Sequence, residues 1–259
     1  MRAEEYERMY HQENTYWWFQ GRKEIVLELL GHHTPLSSER LSVLDVGCGT
    51  GLLLEALRPF AQPVGVDFSP LATNYCRQRG LQRLVCARVE ALPFAHERFD
   101  LILALDLFEH IDDDAGLLRE LWRVCRPGGN LMITVPAYRF LWSDHDEALH
   151  HRRRYTRDSL LRLIRATDFE IVRFSSAITM MFPPIAAFRL TQKLFKPRGA
   201  PKTHLIPLPR LVNRFLIEML KLEARWLRHF NLPFGVSLVA LLRKPVGREA
   251  VNVEREKGE

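Results

Sequence analysis

The sequence predicts an α/β domain built on a parallel sheet with helices on both faces. Three observations carry that prediction. Short apolar runs of strand length recur along the first two thirds of the chain. Amphipathic stretches of helical spacing alternate with them, joined by short turns, as in successive βαβ units. The first run ends directly in a glycine cluster, GCGTG at 47–51, which then opens a helix.

In chain order, residues 3–30 read as helical, with an aromatic knot at Tyr16, Trp17, Trp18 and Phe19, and Gly31 and Pro35 end the segment. LSVLDV (41–46) is the first buried strand, LLLEALRPF (52–60) a helix closed by Pro59, and PVGVD (63–67) the second strand. Ser69-Pro70 supplies an N-cap and a first helical position for a helix that ends at Gly80. LVCA (84–87) and FDLILALD (99–106) are strands three and four. Asp112, Asp113 and Asp114 crowd the start of the following helix, where its dipole favours them, and the helix stops at RPGG (126–129). NLMITVP (130–136) is the fifth strand. Thr156 with Asp158 caps a further helix, FEIVRF (169–174) is strand six, and GVSLVALLRK (235–244) is strand seven. Between the last two, 175–234 holds no clear strand, but 211–230 has apolar residues at helical spacing with Arg214, Lys221, Arg225 and Arg228 interleaved.

Composition narrows the class. Of 259 residues, 47% are hydrophobic and 26% charged, which excludes global disorder and fibrous chains. Cys48, Cys76, Cys86 and Cys125 show no CxxC spacing, which argues against a disulfide-stapled domain and a structural zinc site. The first fourteen residues are charged, without the apolar stretch of a secretory signal. The uncharged run at 174–188 is short of the roughly 20 residues of a spanning helix and contains Pro183 and Pro184. A protein of a reducing compartment is expected, cytoplasmic or peripheral on the inner face of a membrane. The net charge of +6 is concentrated: residues 189–231 hold ten Lys+Arg and two Asp+Glu, so +8. Removing these from totals of 37 and 31 leaves 27 against 29, so −2. A basic segment implies an anionic partner.

The glycine loop is expected to bind a ligand of definite chemistry. A dinucleotide fingerprint needs G-x-G-x-x-G, whereas Gly47, Gly49 and Gly51 stand at G-x-G-x-G behind Asp45. A pyrophosphate would be repelled by that carboxylate, and a ligand bearing a sulfonium and an ammonium would be drawn to it. Asp67, 16 residues after Gly51 at the end of the second strand, is placed to accept hydrogen bonds from ribose hydroxyls.

VLDVGCGTG (43–51), VGVD (64–67), ALPF (91–94), FDLILALDLFEHI (99–111) and RPGGNLMITVP (126–136), in this order and spacing, strongly resemble the class I S-adenosylmethionine (SAM)-dependent methyltransferases of the type 11/type 23 group. The resemblance implies a Rossmann-like, doubly wound seven-stranded sheet of order 3-2-1-4-5-7-6 with strand 7 antiparallel. It also implies SAM as cofactor, with S-adenosylhomocysteine (SAH) as product. Asp45, Gly47, Cys48, Gly49 and Gly51 would cradle the amino-acid end, Asp67 the ribose, Phe68 the adenine, and Leu105 the methionine portion. The family often reads Gly-Asp-Ala-Glu before Leu-Pro-Phe, whereas this chain has Ala87-Arg88-Val89-Glu90. Arg88 cannot accept a hydrogen bond, so adenine contact would pass to Glu90 and Ala91 or to backbone groups. Arg22 would pair with the SAM carboxylate or bind the surface.

Chemistry belongs at the carboxyl ends of strands four and five. Asp106, Glu109 and His110 follow the first; Asp144, His145, Asp146, His150 and His151 follow the second. His145 beside Asp144 is the expected general base, with His110 a further candidate, against a loop-ordering network. A metal held by these residues fits no familiar ligand spacing, so none is expected. The stretch from Pro136 to Thr156, with the N-terminal Tyr16 to Arg22, resembles a subgroup found among polysaccharide and glycolipid biosynthesis proteins. It makes Trp17, Trp18, Tyr138, Asp146, His150, Arg154 and Tyr155 substrate-side candidates, with the two tryptophans either a lid or ordinary core.

The expected organisation is a helical lid over 1–35, a SAM-binding core of 36–174 plus 235–246, a helical insertion over 175–234 that faces substrate or membrane, and a flexible tail at 247–259. The expected activity is methyl transfer to an acceptor, an oxygen on a small molecule, sugar or glycolipid. The rivals are an RNA methyltransferase using the basic 189–231 segment, against which stands the absence of an Asn/Asp-Pro-Pro-Tyr/Phe signature after strand four, and a non-catalytic SAM-binding scaffold.

Overall fold

The computed structural model describes residues 3–34, 41–194 and 207–246. The expected tail therefore lies outside the described residues, as do 35–40 and the stretch 195–206 of the insertion. The helices are α1 (Ala3–Gln12), α2 (Trp17–His33), α3 (Leu52–Leu57), α4 (Pro70–Gln78), α5 (Asp114–Val124), α6 (Asp144–Ala148), α7 (Arg157–Arg165), α8 (Phe182–Leu194) and α9 (Arg210–Leu227). The strands are β1 (Val43–Val46), β2 (Val64–Asp67), β3 (Leu84–Cys86), β4 (Phe99–Leu105), β5 (Cys125–Pro136), β6 (Glu170–Ala177) and β7 (Ser237–Arg243). They form one sheet of order β3-β2-β1-β4-β5-β7-β6. β7 runs antiparallel to both β5 and β6, and the remaining neighbours are parallel, as expected.

Strand alternation builds two cores. In β4, Phe99, Ile102 and Ala104 join the core under α5 and α7, while Leu101 and Leu103 join the core under α2 and α9. In β7, Leu238, Ala240 and Leu242 face the first, and Val239 and Leu241 the second. Side chains of successive strand residues point to opposite faces, so a strand buried on both reads as a continuous apolar run.

Several boundaries depart from the sequence reading. The helical 3–30 segment breaks at Glu13–Tyr16, where Asn213 of α9 holds the turn. Its Oδ1 accepts the Trp17 N–H at 2.9 Å and its Nδ2 donates to the Thr15 carbonyl at 2.8 Å. α2 has no cap of its own at Tyr16, so α9 supplies one. β5 begins at Cys125 and runs through RPGG, because Gly128 takes φ +78 and the β4 register skips from Phe99↔Cys125 to Leu101↔Asn130. β6 continues to Ala177 because Ser175, Ser176 and Ala177 pair with β7. The partner of Thr156 at the start of α7 is Ser159 in a reciprocal capping box, in place of Asp158. Asp113 caps α5 by accepting the Gly116 N–H at 2.7 Å.

Candidate functional site

The carboxyl ends of β1, β2, β4 and β5 converge on one edge of the sheet. After β1 the chain turns through Gly47, Gly49 and Gly51, whose φ values of +76°, +54° and +88° lie in the left-handed region that favours glycine. Gly47 and Cys48 donate to the Val66 carbonyl. Asp67 fixes the same loop: its Oδ2 accepts from Gly49 N at 3.0 Å and its Oδ1 from Ser69 N at 2.9 Å. Asp45 is buried, and no cation among the described residues pairs with it. Burial, reinforced by the nearby Asp67 charge, pushes its pKa up to about 7. Burial raises Asp67 as well. Two buried carboxylates beside a glycine loop disfavour each other until a cation joins them. Phe68, at 62% exposure, offers an open aromatic face next to Asp67. Glu90 and Ala91 are exposed, and Leu105 is half-buried at the end of β4.

α1 covers this loop, a contact the sequence reading did not contain. The Tyr6 ring is buried and its hydroxyl hydrogen-bonds Asp67. Met9 lies so close that a side chain at Gly49 would meet its methyl at 3.1 Å. Glu13 bonds Thr50 and pairs with Arg79, which also pairs with Glu55 and donates to the Thr50 carbonyl at 2.8 Å. The only local hint was an alternation of aromatic and acidic residues in α1. Trp17 is buried among Ile25, Leu220 and Ala224, and Trp18 packs on that same core, so both stand in the helix interface and α1 stands over the glycines.

The two clusters after β4 and β5 form one network. Asp106, held at φ +48°, accepts from Thr134 Oγ1 at 2.9 Å and pairs with Arg22. Arg22, Thr134 and Ser237 line a cleft beside it. The irregular 150–155 stretch is pinned on the turn that follows β4. Arg152 N donates to the Glu109 carbonyl at 2.7 Å and Arg152 Nε to that of His110 at 2.9 Å. The Tyr155 hydroxyl donates to Asp114 at 2.9 Å. Tyr138 N and Tyr155 O meet at 2.9 Å. Asp146 is buried at the centre, accepting from Arg154 Nε at 2.8 Å and Nη2 at 3.0 Å and meeting His151 Nδ1 at 2.9 Å. These partners hold it well below the usual carboxylate range despite its burial.

Burial disfavours the charged form of the two candidate bases, His145 and His110. Burial, with Arg189 close by, drives His145 down to about 3. Burial, with His151 next, lowers His110 to about 4. His150 adopts φ +59°, and Tyr138 φ +57°; strained non-glycine residues therefore cluster with Asp106 at this edge.

Residues 44–133 match the family described as methyltransferase domain. The malonyl-[acyl-carrier protein] O-methyltransferase of Pseudescherichia vulneris is 32% identical over 151 residues, 55% of this chain and 58% of that one. The ubiquinone biosynthesis O-methyltransferase of Coxiella burnetii (strain RSA 493) is 38% identical over 99 residues, 36% of this chain and 42% of that one. The chain thus spans about half the length of these relatives. A chain of the complex containing the Haloferax volcanii Trm112 methyltransferase activator shares the fold, with a TM-score of 0.59, 19% identity and 94% of both chains covered.

Proposed function

We propose that this chain, whose residues 44–133 match the methyltransferase domain family, moves a methyl group from SAM to an oxygen of a small or lipid-linked acceptor. The observation that carries the reading is the pair of buried carboxylates, Asp45 and Asp67, at a loop of three left-handed glycines. Bound SAM supplies a methyl group on a positively charged sulfonium. Asp45 holds the ammonium end, Asp67 the ribose, and Phe68 the adenine, with Cys48, Glu90, Ala91 and Leu105 completing the contacts. Arg22 is shared between Asp106 and the donor's carboxylate. Alignment of donor and acceptor is the main catalytic term, worth up to about 7–11 kcal/mol in such displacements.

The acceptor is placed toward Tyr138 and His150, while Arg154 and Tyr155 are buried and held by Asp146 and Asp114. The acceptor oxygen gains the methyl carbon as the carbon–sulfur bond breaks, and its proton passes to a ring nitrogen of His145, with Asp144 beside it in the chain as the second catalytic candidate. With a pKa near 3, His145 is in its base form at neutral pH but is weakly basic. It serves proton transfer concurrent with methyl transfer better than prior ionisation of the acceptor.

The O-methyltransferase names of the two sequence relatives favour an oxygen acceptor. The apolar and basic surface of α9 favours an acceptor presented at an anionic membrane. Titration calorimetry with SAH tests the donor site. Asp67→Ala removes a charge-assisted hydrogen bond and is expected to weaken binding by about 1.5–3 kcal/mol, roughly ten- to hundredfold. Unchanged affinity removes Asp67 from the site.

A further inference from the structure

Every carboxylate around the turn after β4 has a cation except one. Asp106 pairs with Arg22, Asp112 with Arg152, Asp114 with Arg153, and Asp146 with Arg154 and His151. Glu109 stands among them fully buried, with neither carboxylate oxygen engaged by another residue. Arg22 and Arg154 act on it through space, but each forms its ion pair with another acid, Asp106 and Asp146. A buried charge without a partner is too costly to persist, so the site either protonates Glu109 or seats a cation there.

The surroundings favour the cation. One carboxylate oxygen of Glu109 and one nitrogen each from His110 and His151 lie within 4.8 Å of one another. The two imidazoles face each other nearly at right angles, 83°, with centroids 4.8 Å apart. His151 Nδ1 is engaged by Asp146 at 2.9 Å, which leaves Nε2 as its available lone pair. A carboxylate behind a ligating histidine is the arrangement that fixes its tautomer and orientation in metal sites.

We propose that Glu109, His110 and His151 bind a divalent first-row transition ion such as Zn²⁺ or Mn²⁺. Two imidazoles and one carboxylate leave coordination positions open, and hard Mg²⁺ is a poor match for two nitrogens. The ion neutralises Glu109. Given the methyl-transfer reading above, an acceptor hydroxyl on an open position becomes a stronger acid, which offsets the weak basicity of His145. His110 then serves as a ligand in place of a base.

The test uses the full chain, stripped with chelator and dialysed separately against Zn²⁺, Mn²⁺ and Mg²⁺, with bound metal measured by mass spectrometry. About one equivalent of Zn²⁺ or Mn²⁺ is expected, with little Mg²⁺. Glu109→Gln and His151→Ala should each weaken retention at least about tenfold, with folding checked by circular dichroism. Should either variant fail to fold, Co²⁺ added to the unmutated protein gives visible absorption bands of a nitrogen- and oxygen-ligated ion that Zn²⁺ displaces. Absence of retained metal and of these bands overturns the proposal, as does equal retention in both variants. SAH calorimetry on the same samples separates the two readings: metal bound without SAH sinks the methyl-donor site and leaves the metal, and the reverse sinks the metal alone.

Discussion

At the residue scale, Asp45 sets stability against binding. Its folded pKa of about 7 lies above the unfolded value of 3.8, so the folded state takes up the proton more readily. Stability from this group is full below about pH 4, falls as pH rises toward 7, and stays low above it, by about 4 kcal/mol for this displacement. Asp45→Asn should therefore raise the melting temperature by several degrees at pH 8 and barely change it at pH 4. The same variant should lose SAH binding, because the ammonium needs the carboxylate. Wild-type affinity should climb between pH 6 and 8 with proton release, which calorimetry in buffers of different ionisation enthalpy reads directly; a flat affinity profile would detach Asp45 from the ammonium. These two aspartates and the glycines were legible in the sequence because acid type and spacing alone define them. The isolation of Glu109 was not. It depends on four arginines finding other acids, and pairing across 40-residue separations leaves no local pattern.

At the scale of elements, the strands were legible to within a few residues, since apolar runs between turn residues are a local signal. The α1 cover and the α2–α9 contact were not, because each depends on tertiary fit. α2 and α9 approach so closely that a Cβ on Gly21 would sit 2.0 Å from Leu220 Cδ1. Gly21→Ala gains up to about 1 kcal/mol of helix propensity but pays overpacking of about 1–3 kcal/mol. The expected net is a melting point lower by a few degrees. Leu220→Ala alone should cost about 2–5 kcal/mol, and the double variant should be more stable than the two separate losses predict. Strict additivity would show that the helices do not meet there. α1 holds the Tyr6 hydroxyl where the ribose is expected to meet Asp67. Tyr6→Phe should accordingly bind SAH a few times more tightly, and SAH should accelerate amide exchange in α1 of the unmutated chain. Weaker binding by Tyr6→Phe would instead place the hydroxyl in the ligand-bound site.

Across the whole molecule, charge and exposed apolar surface coincide on α9, which has three faces. Leu220, Ala224 and Leu227 are buried toward α2, and Glu223 anchors the β6–α8 turn by accepting the Thr179 N–H at 2.9 Å. Leu211 (84% exposed), Phe215, Leu222 and Trp226 (64%) form a second, solvent-facing stripe. Arg210, Arg214 and Arg225 are exposed alongside it. No helix among the described residues is long and apolar enough to cross a membrane, whereas an apolar stripe bordered by arginines suits one that lies in the headgroup layer. Each cation near an anionic surface contributes about 1 kcal/mol. Replacing Arg210, Arg214 and Arg225 together by Gln should therefore cut binding to phosphatidylserine vesicles about a hundredfold, and raising salt toward 1 M should mimic the loss. Phe215→Ser with Trp226→Ser should weaken binding without changing its salt dependence, because it removes burial and leaves charge. Flotation of the full chain with such vesicles at low salt is the measurement. Protein that remains at the bottom of the gradient while RNA retards it in a salt-dependent manner would assign the basic face to nucleic acid.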